Sequence, residues 1–191
     1  EQFRTGTNVD QDENGIGEYG LWNEITGATT MRNGQNDGND KPACDPAYMT
    51  ISLRAENDDG TGAGVGQKSG YCFGMWLPGG SAVTDVPNAP PAVAVATNGQ
   101  YQENNWLCYA WPIKWKSSGT RAFAVDIAAD VAACANATGT VGKYDKATKS
   151  SPAYNAIFSK AASSSGPEDF VNFGISGDPS VDDQAWAPAG G

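Results

Sequence analysis

The chain has 191 residues, 12 Lys and Arg against 22 Asp and Glu, a net charge of −10 and no histidine. This length suits one globular domain, which we expect over residues 1–191. The acidic balance argues against a nucleic-acid partner, because phosphate binding needs clustered basic residues. Without histidine a Ser or Cys nucleophile lacks its usual base, so we expect no enzyme; two facing carboxylates of the glycosidase type are the remaining catalytic alternative.

The first six residues, "EQFRTG", are typical of the end of a helix, because the leading residues tolerate a helix and Gly6 would stop it. We expect the earlier part of that helix to precede this stretch. Within the chain itself no segment reaches the roughly 18 apolar residues that a membrane-spanning helix needs. The stretch "YGLWNEITG" at 19–27 predicts a short helix or turn, and "AYMTISLRA" at 47–55 alternates as a strand would.

An acidic loop, "DQDENGIGEYG", occupies residues 10–20. Its carboxylates alternate, and a glycine follows where a calcium loop needs a tight turn. The candidate ligands are Asp10, Asp12, Asn14, the carbonyl of Ile16, and Glu18. The twelfth position of such a loop holds Leu21 in place of a bidentate Glu, so a further ligand would have to come from elsewhere. A turn in which Asp and Asn side chains bond their own backbone is the alternative.

Weaker acidic clusters at 36–40, 56–60 and 177–183 are interpreted as solvated turns. The central region, residues 69–134, is rich in aromatic and β-branched residues. We expect strands in "GYCFGMW", "NNWLCYAWP" and "RAFAVDI", with "VAACANA" as a fourth and "KSSGT" as a hairpin turn. A long proline-containing loop, 79–104, separates the first two strands.

Four cysteines without any C-x-x-C pair, in a chain that lacks histidine, do not suggest zinc. Their even number favours disulfides and an oxidising compartment, with buried free thiols as the alternative. We expect the pairs Cys72–Cys108 and Cys44–Cys134, the first because both cysteines lie in strand-like runs. Asn136 begins an N-x-T sequon, to which we attach no function because such triplets often arise by chance.

These pieces, in this order and spacing, resemble a known family. "EQFRTG", "VDQDENGIGEYGLWNEITG", "GYCFGMWLP" and "NWLCYAWPIKWKSSGTRAFAVD" resemble segments of the soluble domains of pilin-like proteins of planctomycete-type bacteria, relatives of the pseudopilins of type II secretion. The matching family pieces look like "D-x-D-G-x-G-EYG" and "CYAWP…TG-x-R-x-F", and the likeness covers about two-thirds of the chain. Cys44, Cys72 and the loop 79–104 depart from the family pattern.

The resemblance implies an α+β pilin-like head, in which the end of an amino-terminal helix packs on a three- to four-stranded antiparallel sheet with long loops. It implies a structural subunit of a type IV pilus-like or type II secretion pseudopilus-like filament, extracellular or periplasmic. Self-association is then the main contact, with other pseudopilins and the secretion machinery as further partners and the inner membrane reached only through the preceding helix. Pseudopilin heads also carry a calcium loop near the carboxyl end, which draws attention to 177–183.

The alternative function is a secreted, calcium-dependent carbohydrate-binding module. Six tryptophans could stack on sugar rings in such a module. Four of them lie in or beside the predicted strands, where a core or inter-subunit role is more common. Calcium is the cofactor expected under either function.

Overall fold

The structure is a computed structural model that describes residues 1–10, 12–28, 30–32, 41–53, 65–77, 99–137, 144–148, 150–153, 155–159 and 180–190. These residues contain three short helices, at Gln2–Thr5 (α1), Trp22–Ile25 (α2) and Gly99–Asn104 (α3). The strands are Gly66–Lys68 (β1), Tyr71–Trp76 (β2), Leu107–Pro112 (β3), Ala122–Asp126 (β4), Val131–Cys134 (β5) and Ala187–Pro188 (β6). The described ranges also include 3₁₀ turns at Ile51–Leu53 and Lys146–Thr148. None of the helices in these ranges has the length and apolarity needed to cross a bilayer.

The six strands form one antiparallel sheet in which each strand pairs with its neighbour in the chain. The register of β2 and β3 places Cys72 opposite Trp111 and Met75 opposite Cys108. Because side chains alternate between faces along a strand, these two pairs point to opposite sides of the sheet. The protein is therefore a mixed helix-and-sheet structure with a central antiparallel meander.

Each face of the sheet is covered by a different part of the chain. On one face, Cys72, Tyr109 and Trp111 pack with buried side chains from the carboxyl-terminal half, including Phe158 and Trp186. On the other face, the segment around α2 contributes Tyr19, Leu21 and Trp22 against Met75 and Leu77. Trp22 stacks on the ring of Phe73 at 5.9 Å, so α2 is held flat against β2.

The helix α1 does not belong to either sheet cluster. Its buried side chain, Phe3, packs with Val9 and Met31 in a third cluster. Gly20 allows this approach, because a Cβ atom there would meet the ring of Phe3 at 2.9 Å. The helix α1 therefore packs against the loops before and after α2, whereas the expectation was a helix lying on the sheet.

Four strands of the sheet agree with the sequence prediction, and the other two were missed. The predicted three or four strands are β2 to β5, whereas the sheet has six. β1, "GQK", and β6, "AP", contain no β-branched or aromatic residue, so propensity does not mark them as strands. They are edge strands, and their pairing is supplied by their neighbours.

Two further sequence predictions are wrong. The stretch 47–55 was predicted as a strand, but its described part contains the 3₁₀ turn Ile51–Leu53. The indole Nε1 of Trp22 donates a hydrogen bond to the carbonyl of Leu53 at 2.9 Å and holds that turn against α2. The predicted loop 79–104 ends in α3, while residues 78–98 lie outside the described residues.

The expected disulfides are also wrong, because none of the four cysteines, all of which lie in the described ranges, forms a disulfide. Cys72 and Cys108 lie on adjacent strands but on opposite faces and out of register, so their sulfur atoms cannot meet. Cys134 belongs to the core of one sheet face, whereas Cys44 packs beside Met31 in the third cluster. The thiol of Cys44 donates to the sulfur of Met31 at 3.2 Å.

Asn136 follows β5 and is completely buried. Its side-chain Nδ2 donates to the carbonyl of Tyr144 at 2.9 Å, and its Oδ1 accepts the N–H of the same residue at 2.7 Å. It adopts a left-handed backbone conformation, φ 51°, which Asn tolerates better than most residues. This amide therefore joins the end of the sheet to the segment that begins at Tyr144.

Candidate metal site

The acidic loop is folded by its own side chains. The carboxylate of Asp10 accepts the N–H of Asn14 at 3.1 Å on Oδ1 and that of Gly15 at 3.0 Å on Oδ2. Asp12 Oδ1 accepts the Asn14 N–H at 3.3 Å, and Asn14 Oδ1 accepts the N–H of Ile16 at 2.7 Å. Gly15 has φ +85°, a conformation that suits glycine and closes the turn. The alternating side chains thus wrap around one tight turn, the arrangement found in the first half of a calcium loop.

A carboxylate from a distant part of the chain joins this loop. The side-chain amide of Asn14 donates to Asp12 Oδ2 at 3.1 Å and to Glu103 Oε1 at 2.8 Å. Glu103 lies near the end of α3 and is only 4% exposed. One amide nitrogen therefore holds two acidic side chains within hydrogen-bond distance. Sequence reasoning missed Glu103, because no motif links it to a loop that precedes it by nearly half the chain.

Glu18 and Asp12 both approach the start of α3. A Cβ atom built on Gly99 would lie 2.9 Å from Glu18 Oε1 and 3.0 Å from Asp12 Oδ2. Glu18 is completely buried, although a buried carboxylate is costly unless it is neutralised or hydrogen-bonded. The carboxylates of Asp12 and Glu18 therefore occupy the space that a side chain at position 99, the first residue of α3, would fill. Of the predicted site residues, Asp10 and Asp12 are joined by hydrogen bonds through Asn14, and Glu18 lies near Asp12 at the start of α3. Ile16 takes part through its N–H, which donates to Asn14 Oδ1, whereas the predicted ligand was its carbonyl.

A buried ion pair between Arg32 and Glu24 lies next to the acidic loop and holds the elements around it. The guanidinium Nε of Arg32 donates to Glu24 Oε1 at 3.0 Å, and Nη2 donates to the carbonyl of Tyr19 at 2.6 Å. Nη1 donates to the side chain of Gln102 on α3. The backbone of Gln102 in turn accepts the N–H of Tyr19 at 3.0 Å. Arg32 therefore fixes α2, the end of the acidic loop and α3 relative to one another.

The side chain of Glu24 also caps the amino-terminal end of α2. Its Oε2 accepts the N–H of Leu21 at 2.7 Å, which is one half of a capping box. Its Oε1 accepts the backbone N–H of Arg32 at 2.7 Å. The carboxylate is completely buried, and these hydrogen bonds together with the guanidinium compensate for its burial.

The loop is also tied to the start of α1. The hydroxyl of Tyr19 donates to Glu1 Oε2 at 2.7 Å. Burial, together with this negatively charged partner, raises the pKa of Tyr19 to about 12. The same hydrogen bond lowers the pKa of Glu1. The contact links the residue before α1 to the residue that follows the candidate ligands.

These donors are of the kind that calcium prefers, but they are not arranged as a closed shell. Across the described ranges, no three Asp, Glu, Cys or His side chains converge in a form that could hold a metal ion. The Asn14 amide donates toward Asp12 and Glu103, whereas a metal ligand would have to present its oxygen there. A rotation of this amide about its last torsion would exchange the two atoms. The residue types fit a calcium site, and the geometry is that of a hydrogen-bonded turn.

The carboxyl-terminal acidic cluster has a different role where it is described. Asp182 is 3% exposed and accepts hydrogen bonds from the hydroxyls of Tyr144 and Ser180, each at 2.5 Å. It also accepts the N–H of Gln184 at 3.0 Å and the indole N–H of Trp186 at 3.2 Å. Donors already surround this carboxylate, so Asp182 acts as a structural acceptor in the core. Residues 177–179, and the clusters at 36–40 and 56–60, lie outside the described residues.

Most tryptophans are in the core. The buried ones are Trp22, Trp76, Trp111 and Trp186, none more than 7% exposed. Trp106 and Trp115 are half-buried. Because sugar stacking needs an open ring face, four of the six side chains are unsuited to the carbohydrate-binding alternative as they stand.

Comparison of the chain with protein-family models, with curated proteins and with solved structures finds no match. Its resemblance to pilin-like heads therefore depends on the sequence segments themselves.

Proposed function

We propose that this chain is the head of a pilin-like or pseudopilin-like subunit, which polymerises into an extracellular or periplasm-spanning filament, and that its acidic loop binds calcium. The observation that supports the proposal best is the position of the loop. It connects α1 to α2 and is held to α3 through Asn14 and Glu103. In a filament subunit this is the junction at which the head is fixed to its helix.

Calcium would be held by Asp10, Asp12, Asn14 and Glu18, with Glu103 in the role of the carboxylate that the twelfth position lacks. Several acidic groups close together repel one another, and a divalent cation supplies the charge that relieves this repulsion. In that state Asn14 presents its Oδ1 to the ion and releases the N–H of Ile16. The affinity expected for an extracellular module is weak, with a Kd of about 10⁻⁴ to 10⁻³ M.

Calorimetric titration with calcium tests the ligand set. Glu103→Gln keeps an oxygen that can accept the Asn14 hydrogen bond but removes the charge, so we expect the Kd to rise tenfold or more. Asp183→Asn, a change at an exposed carboxylate in a distant segment, is the matched control and should leave the Kd unchanged. An unchanged Kd in Glu103→Gln would remove this residue from the site, and the absence of any heat with the unmodified chain would refute calcium binding.

The filament itself is tested by the gene and by microscopy. The coding sequence upstream of Glu1 should encode a prepilin peptide with about 20 apolar residues, the length that spans a bilayer. Antibodies against the head should label filaments on the cells that make the protein. A cleavable secretory signal in place of the apolar helix, together with reproducible binding on a glycan array, would favour the carbohydrate-binding module instead.

A further inference from the structure

Three turns meet at one end of the sheet: the β1–β2 turn, the β3–β4 connection and the 3₁₀ turn Lys146–Thr148. The N–H of Ile113, at the start of the β3–β4 connection, donates to the carbonyl of Gly70 in the β1–β2 turn at 2.9 Å. The carbonyl of Ile113 accepts the N–H of Ala147 at 3.1 Å, and the N–H of Trp115 donates to Asp145 Oδ2 at 2.9 Å. The three turns therefore form one continuous surface, which we call the basic end.

The basic end is named for its cationic side chains, which among the described residues are Lys68, Lys114, Lys116, Arg121 and Lys146. All are exposed except Lys146, which is half-buried. Lys116 lies over the ring of Trp115 at 4.5 Å, and Arg121 lies over Phe123 at 5.4 Å, so both cations have aromatic supports. Asp145 is buried and turned inward to backbone N–H groups. The described side chains therefore give this end of the sheet five cations, in a chain whose net charge is −10.

These cations are not used in ion pairs within the described part of the chain. The salt bridges found there join Arg4 to Glu1 and Arg32 to Glu24. A group of cations that form no ion pairs within the molecule favours the binding of an anionic partner from outside it.

The opposite end of the same sheet is acidic, and we call it the acidic end. β2 leads away from the basic end for six residues, a length of about 20 Å. At the far end Leu107 pairs with Asp126, and the next turn carries the exposed Asp130. The loop with the exposed Glu13 is attached there through α3, which precedes β3. Each molecule therefore has opposite charges at the two ends of its sheet.

We propose that the basic end docks on the acidic end of a second copy of this chain. The proposal rests on the filament function argued above and specifies the contact within it. A contact between two different ends of identical molecules is heterologous, and it continues from copy to copy without closing. The occupant is a second copy because this chain itself supplies the complementary surface, whereas its net negative charge disfavours a free polyanion.

Charge reversal at each end tests the contact. Lys114→Glu/Lys116→Glu makes the basic end negative, and Glu13→Lys/Asp130→Lys makes the exposed part of the acidic end positive. In sedimentation velocity at millimolar concentration, we expect the unmodified chain to self-associate and each variant alone to associate at least about tenfold more weakly. An equimolar mixture of the two variants should recover association, because each then meets an oppositely charged end.

The mixture separates a specific contact from a net-charge effect. If overall repulsion alone controlled association, Glu13→Lys/Asp130→Lys would associate best, because it is the least negative of the three chains. That result, or a mixture no better than its components, would overturn the proposal. So would an unmodified chain that stays monomeric but binds polyphosphate through Lys114 and Lys116.

Failure of this contact is distinguishable from failure of the filament. Filaments that form normally from the complete gene product carrying Lys114→Glu/Lys116→Glu leave the proposed function intact and refute the basic-end contact. Cells that make the protein but never show antibody-labelled filaments refute the proposed function.

Discussion

Asn14 joins Asp12 and Glu103 through a single amide nitrogen. The arrangement of the acidic loop therefore depends on the orientation of this one side-chain amide. The hydrogen-bonded turn and the calcium loop use the same carboxylates. They differ in whether the amide donates to these groups or accepts alongside them. Substitutions within the loop therefore separate the two states.

Asp12→Ala should abolish the stabilisation that calcium provides. Calcium at 100 times its Kd is expected to stabilise the unmodified chain by about 2.7 kcal/mol, or roughly 5 to 10 °C in Tm for a domain of this size. Glu13→Ala is the matched control, since it removes an exposed carboxylate from the same loop and should retain the response. Melting curves with and without a chelator measure the difference. Equal curves for the unmodified chain in both conditions would leave only the hydrogen-bonded turn.

Gly99→Ala should destabilise the protein even though alanine is the better helix former. The new methyl group would lie 2.9 Å from the carboxyl carbon of Asp12 and from Glu18 Oε1, so the loop must move. We expect a cost of about 1 to 3 kcal/mol in the free energy of unfolding, measured with denaturant. Gly190→Ala, which meets no atom within 4 Å, is the control and should be nearly neutral. A gain in stability from Gly99→Ala would show that α3 and the loop are farther apart.

At the scale of elements, Arg32 is the residue that connects α2 to α3. Arg32→Met leaves Glu24 buried without its cation and should cost about 3 to 5 kcal/mol in the free energy of unfolding. The double variant Arg32→Met/Glu24→Gln removes the stranded charge and should be more stable than Arg32→Met. Denaturant unfolding of the unmodified chain, of the single variants Arg32→Met and Glu24→Gln, and of the double variant measures the coupling. Additive losses would mean that the two side chains do not form the pair.

The central strands were predictable because a sheet that is buried on both faces selects aromatic and β-branched side chains along each strand. The aromatic residues Tyr109 and Trp111 alternate along β3, and in β2 Phe73 and Trp76 lie on opposite faces of the sheet. Aromatic residues on both faces are typical of a strand that is covered on both sides. β6 could not be predicted, since Ala187 and Pro188 pair only because β5 offers a free edge. Edge pairing is a tertiary effect that a local pattern does not encode.

Only those residues of the candidate site that lie close together in the sequence were predictable. Asp10, Asp12 and Asn14 follow one another at the spacing of a turn, and local hydrogen bonds are enough to bring them together. Glu103 arrives through the packing of α3, which itself lies inside a segment predicted as a loop. Contacts of this kind depend on the path of the whole chain.

For the whole molecule, buried ionisable groups predict a loss of stability at high pH. Burial raises the pKa of Cys108 to about 12 and that of Cys134 to about 11, from an ordinary thiol value of 9.0. The folded state therefore holds these protons longer than the unfolded state does. Their contribution to the free energy of unfolding is complete below about pH 9 and is lost as the pH rises through 11 to 12.

Urea unfolding between pH 7 and pH 12 measures this effect, and we expect a level free energy of unfolding up to about pH 9 followed by a decline. Cys134→Ala removes one of the groups and should make the decline shallower. A stability that stays level up to pH 12 in the unmodified chain would contradict the burial of these thiols.

The buried position of Asn136 has a consequence for the choice of expression host. Oligosaccharyl transferase modifies the amide nitrogen of a sequon, and here that atom is completely buried and donates to the carbonyl of Tyr144. A eukaryotic secretory host, which attaches the glycan to the nascent chain, would place a bulky sugar where the core must close. Protein made through the yeast secretory pathway should accumulate inside the cell as a glycosylated, misfolded species, whereas Thr138→Ala, which removes the sequon and keeps Asn136, should restore the secreted yield.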